Sequence, residues 1–130
     1  MNSQVWLVAV ASFLFLSQQA NACECIVLTP SQGVEWADAI LVAEVSNVEG
    51  KQATVLPIEV IKGKINQPLI FSIGHSNCDY FSIPDDVHVG DRHLFYLRLR
   101  DGKFNASICS RSGPLTKKGV ELEELRKQFK

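Results

Sequence analysis

The sequence predicts a mainly β domain, a small closed five-stranded barrel with a C-terminal helix and two disulfides. Three observations lead there. Five short runs alternate apolar residues between two faces, the pattern of half-buried strands. An Asp-Gly pair, Asp101-Gly102, splits the last two runs, and this dipeptide suits the positive φ angles of a tight hairpin turn. Four cysteines, an even number, sit in a chain that opens like an exported one.

The opening comes first. Residues 1–22 hold no charged side chain, and Val5 to Leu16 form an apolar run. Ala20-Asn21-Ala22 fits the small-x-small pattern of a signal-peptidase site. The run is short for a membrane span. Residues 1–22 therefore read as a signal peptide and 23–130 as one secreted domain, extracellular or, in a bacterium, periplasmic. Cleavage would make Cys23 the first residue. A lipoprotein would also need a cysteine there, but with Leu, Val or Ile three residues earlier, where this chain has Ala20. After cleavage nothing directs the chain to a membrane. A net charge of -1 without a Lys/Arg run gives no drive toward nucleic acid.

Along the domain, Pro30 to Trp36 reads as a short turn or helix. Ile40 to Val45 makes the first strand. Leu56, Ile58 and Val60 share one face of the second, where Pro57 marks an edge or a bulge. Leu69, Phe71 and Ile73 form the third. Phe95, Leu97 and Leu99 precede the hairpin turn, and Phe104, Ala106 and Ile108 follow it. Leu122, Leu125 and Phe129 recur at helical spacing, with Glu121, Glu123 and Glu124 ahead of Arg126, Lys127 and Lys130, as the helix dipole prefers. Five short strands and a terminal helix make the barrel OB-like.

The cysteines carry the functional argument. Cys23 and Cys25, two apart on an extended chain, point the same way but sit too far apart to bridge each other well. Both then reach Cys78 and Cys109, and two pairings stay open. As staples, such bridges simply stabilise a small domain. Their position adds something: staples on residues one and three of the mature chain fix its first residue. Its α-amine has a pKa of about 7.7–8.0, so a neutral lone pair is accessible. Amine and carbonyl of one residue can chelate a metal through a five-membered ring. A catalytic zinc keeps an open position for such a ligand.

"CECIVLTPSQGVEWADAILVAEV" resembles the start of the tissue inhibitors of metalloproteinases, the TIMPs: Cys23, Cys25, Pro30 and Asp38 match that family's opening. "IEVIKGK", "SNCDYF" and "LRLRDGKFNASICS" resemble later segments in the same order. The resemblance spans nearly all of 23–112 and is to TIMP-like, netrin-related (NTR) domains. It implies Cys23–Cys78 and Cys25–Cys109 bridges. It implies an inhibitory ridge of Cys23, Glu24, Cys25, Ile26 and Val27, flanked by Ser76, Asn77 and Cys78. It implies that Cys23 binds the zinc of a target metalloprotease through its backbone amine and carbonyl, with Glu24 entering the adjacent pocket. The protein would hold no cofactor of its own.

This chain departs from the family at two places. A further family cysteine is replaced around Glu35, and the usual small Thr or Ser after the first cysteine is Glu24. A charged residue there suits a target pocket with a basic or polar floor. No nucleophile–base pairing or phosphate loop points to an enzyme. His75, His88 and His93 lack the close spacing of a ligand pair. The alternative to an inhibitor is a non-inhibitory NTR-type binding module, or an envelope lipoprotein modified at Cys23.

Overall fold

The computed structural model describes residues 23–130; the expected signal peptide lies outside the described residues. Helix α1 (Pro30–Trp36) leads into strands β1 (Ala39–Glu49), β2 (Gln52–Lys62) and β3 (Leu69–Ser72). A 3₁₀ turn (Pro84–Asp86) precedes β4 (Arg92–Arg100), β5 (Lys103–Ala106), β6 (Gly113–Pro114) and helix α2 (Leu115–Gln128). All strand pairs are antiparallel, in the order β3-β2-β1-β4-β5, with β6 added to β4.

The expected closed five-stranded barrel is corrected on two counts. There are six strands among the described residues, and the sheet is not closed, because β3 and β5 do not pair with each other. Both are only four residues long. Beyond them a connecting segment takes the free positions: Phe81 bridges Ile73, and Asp79 bridges Ser107. The stretch Asp79–Phe81 thus spans from one end of the sheet to the other.

Local chemistry explains the elements. Thr29 caps α1 through a capping box with Gln32, and Pro30 occupies the first turn, where its missing N–H costs nothing. The Lys62 ammonium donates to the carbonyls of Val34 and Ala37 at the other end. Asp101 and Gly102 have φ of 51° and 75°, the hairpin turn read from their sequence. In the β1–β2 ladder Ala43 pairs with Pro57 and Val42 with Glu59, so Ile58 is the extra residue of a bulge beside the proline.

β1 is buried on both faces. Leu41, Ala43 and Val45 join Phe95, Leu97, Val55, Phe71 and Phe81 in one core. Ile40 and Val42 join Leu94, Tyr96, Leu122 and Leu125 in a second, under the helices. Leu56, Ile58 and Val60 do not keep a common face: the bulge sets Leu56 opposite Glu44 and Val60 opposite Leu41, on opposite sides of β1, and all three are exposed. The core side of β2 is instead supplied by Ala53 and Val55. Among the described residues no helix is long and apolar enough to cross a membrane.

Candidate functional site

The N-terminal segment is held at three points before α1 begins. Cys23 is bonded to Cys78 and Cys25 to Cys109, with Cα–Cα distances of 5.2 and 4.9 Å. These bridges close spans of 55 and 84 residues. By chain entropy each would disfavour the unfolded state by about 4 kcal/mol. They also touch: Cys23 Sγ lies 3.4 Å from Cys109 Sγ, and Cys109 Sγ lies 3.6 Å from the Glu24 carbonyl oxygen. The third point is Leu28, whose carbonyl accepts from Arg111 Nη1 at 2.6 Å.

Between the second and third points stand Ile26 and Val27, 83% and 89% exposed. Apolar residues in solvent are unremarkable at a fraying end. Here the backbone on both sides is tied down, so the two side chains are displayed by a fixed segment. Glu24, Cys25, Ser76, Asn77 and Cys78 are also exposed, and Cys23 is half-buried. The Cys23–Cys78 bridge joins the two halves of the expected ridge.

The loop bearing Cys78 is built around Asp79. Its Oδ2 accepts from the backbone N–H of His75 at 2.8 Å and of Ser76 at 3.2 Å, and its Oδ1 accepts from the Ser76 hydroxyl at 3.1 Å. Cys78 N–H donates to Ser76 Oγ. Gly74 opens the loop with φ +65°, and a Cβ there would stand 2.5 Å from the Ser82 carbonyl oxygen, so only glycine fits. Ile108 N–H donates to the Cys78 carbonyl at 2.8 Å, and Cys109 N–H to Ser107 Oγ at 3.0 Å. The two loops that receive the bridges are therefore bonded to each other.

Arg111 belongs to a polar cluster under the N-terminal segment. Its Nε and Nη2 donate to Glu121 Oε1, while the Tyr96 hydroxyl donates to Glu121 Oε2 at 3.0 Å and Lys118 lies 3.6 Å from that oxygen. Burial pushes Glu121 up, but the hydrogen bonds of Arg111 and Tyr96 and the charge of Lys118 outweigh it, so its carboxyl sits below the usual 4.5. Burial, with the negative charge of Glu121 behind it, pushes the Tyr96 phenol up. A Cβ on Gly33 would come 2.6 Å from Arg111 Cδ, so this buried glycine leaves room for the arginine stem.

The sulfurs of Cys23, Cys25 and Cys109 lie within 4.8 Å of one another, the spacing of a metal-ligand group. Each is in a disulfide, so none offers a thiolate. The three histidines join no such group among the described residues. His75 and His88 are exposed, and His93 is half-buried with Nδ1 2.8 Å from the Tyr80 hydroxyl.

Sequence reasoning missed Arg111, Glu121, Tyr96 and Asp79. The Ser76-x-x-Asp79 spacing hints at a side chain closing its own turn. Glu121 read as a dipole-serving residue, yet α2 begins at Leu115 and its first turn holds no acid. Arg111 carried no periodic mark at all. No protein-family model matches the chain, and no curated protein matches it.

Proposed function

We propose that the chain, cleaved before Cys23, is a secreted inhibitor of zinc metalloproteases. The observation that carries this reading is the three-point anchoring of residues 23–28 beside an exposed loop at Cys78 that is closed by its own hydrogen bonds. An inhibitor that places one residue on a recessed metal needs a first residue that does not move, since ordering it on binding would cost affinity. The resemblance to TIMP-like NTR domains supports the same reading, as does a strand order that an OB-like barrel would use.

In this reading cleavage exposes the Cys23 α-amine. Amine and carbonyl then approach the target's zinc at the position where water normally sits, and exclude the nucleophile. Glu24 enters the pocket beside the metal. Ile26 and Val27 lie against the apolar part of the substrate cleft, and Ser76, Asn77 and Cys78 against its other wall. The chain brings no metal of its own, since its cysteine sulfurs are spent in bridges.

The test is a variant with one extra Ala before Cys23. The added residue moves the amine by about 3.8 Å while leaving both bridges possible. Inhibition of a metalloprotease panel should fall at least about a hundredfold, some ~2.7 kcal/mol, with unfolding unchanged. Equal potency of the two forms would sink the chelation mechanism. One observation favours the second reading, a non-inhibitory binding module: Glu24 is charged and exposed at the position meant to enter a pocket. Intact mass of the exported protein distinguishes both from a lipoprotein. A free mature chain lacks four hydrogens and carries no lipid.

A further inference from the structure

We propose that His93 is a proton-sensitive latch on the loop from Gly74 to Phe81, neutral when the loop is closed and charged when it opens. This inference goes beyond the inhibitory reading and does not need it.

The geometry is specific. His93 Nδ1 lies 2.8 Å from the Tyr80 hydroxyl. The imidazole is ringed by Tyr80, Phe81 and Phe95, with centroids 5.5, 5.3 and 5.5 Å away. Tyr80 and Phe81 stand edge-on to it, at 88° and 87°. Its other nitrogen, Nε2, is buried and has no hydrogen-bond partner. On the strands to either side it faces Ala43 of β1 and Pro114 of β6, neither of them charged. The neighbouring Arg92 is paired with Glu44 at 3.1 Å.

A neutral imidazole suits this place, because one bond to Tyr80 serves Nδ1 and the rest of the ring packs on aromatic faces. Protonation changes that. It makes both nitrogens donors and puts a charge where Nε2–H has no acceptor. Burial holds the His93 pKa below the ordinary 6.5, and Asp91, the charge that acts on it, offsets this only in part. Burial pushes the Tyr80 phenol up, so it remains a phenol throughout the range in which His93 titrates.

One side of the contact must yield, and the fold indicates which. His93 adjoins the four consecutive buried residues Leu94 to Leu97, in a strand paired on both sides. Asp79 and Phe81 each form one isolated bridge, to Ser107 and Ile73, and Tyr80 N–H donates to the Ala106 carbonyl at 3.4 Å. Phe81 is itself buried in the core, so the part free to yield is Tyr80 and the loop before it. The loop therefore moves and the strand stays. Cys78, two residues before Tyr80, moves with it, and acid loosens the support of the Cys23–Cys78 bridge.

The experiment is an NMR titration of the intact oxidised domain, with amide exchange followed in parallel. The His93 ring should titrate below 6.5. Between about pH 7.5 and about pH 5.5, protection at residues 76–80 should fall, by up to about tenfold after correction for intrinsic exchange, while β1 and β4 keep theirs. The Cys23–Cys78 bridge should be reduced faster by a phosphine over the same interval. His93→Phe should abolish the pH dependence of all these readouts. Titration at or above 6.5 would overturn the proposal. So would unchanged protection of the loop, or the same acid response in His93→Phe. If that variant does not fold, the titration and exchange of the native chain decide alone.

Discussion

Cys23 and Cys109 belong to different disulfides, yet their sulfurs lie 3.4 Å apart. The two bridges form one sulfur cluster beside the backbone of residues 23–25, which makes them chemically as well as mechanically linked. In a Cys78→Ala variant the Cys23 thiol is free beside Cys109. Its thiolate can attack Cys109 Sγ, forming Cys23–Cys109 and releasing the Cys25 thiolate, with no oxidant required. Peptide mapping after incubation near the thiol pKa of about 8.5 should find both Cys23–Cys109 and Cys25–Cys109. Recovery of Cys25–Cys109 alone would show that the contact does not lead to exchange.

Arg111 should be worth more than a surface arginine. It serves the Leu28 carbonyl and Glu121 at once. Arg111→Gln should cost about 2 kcal/mol in denaturant unfolding, because it strips the half-buried Glu121 of its main partner. It should also raise amide exchange at residues 26–28 with both disulfides intact. Arg111→Lys should fail to restore either property, since one compact ammonium cannot span both acceptors. Full rescue by lysine would mean that charge alone matters.

Acid sensitivity should track Glu121. Its folded pKa lies below the unfolded 4.5, so the unfolded chain binds more protons between those two values. Stability from this group is complete above 4.5 and is lost as pH falls through the folded value. Unfolding free energy measured by urea titration should therefore drop on acidification in that window. Glu121→Gln should be less stable at neutral pH and flatter in the same window. An unchanged slope would remove Glu121 from the acid response.

Glu24 is the natural handle on target choice under the proposed function. Placing an unpaired carboxylate in an apolar pocket costs several kcal/mol, about 2 or more. Glu24→Thr should tighten inhibition of metalloproteases with apolar pockets at least about tenfold and weaken it for those with a basic pocket floor. Weaker binding to the apolar class would contradict the assignment of Glu24 to the pocket.

Much of this architecture could be read from local pattern. The alternation at Leu41, Ala43 and Val45, the Asp101-Gly102 turn and the spacing of Leu122 and Leu125 all report on neighbours a few residues away, and the corresponding elements formed. Errors came where the partner is distant. Leu56, Ile58 and Val60 alternate as a core face would, but the bulge at Ile58 breaks the alternation, setting Leu56 opposite Glu44 and Val60 opposite Leu41, and all three are left exposed. The open sheet depends on how Asp79 and Phe81 meet Ser107 and Ile73, which no periodicity records. Arg111, Glu121 and Tyr96 are far apart in sequence and meet only because β4 and α2 pack together. The pair of His93 and Tyr80 is of the same kind.

The covalent ties at Cys23 and Cys25 also decide how the molecule would carry tension. Traction on Cys23 passes through sulfur to Cys78 and Cys109 and never reaches α1 or β1, which lie inside the closed spans. Pulled from both ends, the oxidised domain can lengthen only along the stretch after Cys109, by detaching β6 and α2. Strands β1 to β5 would stay paired under load until a bridge is reduced.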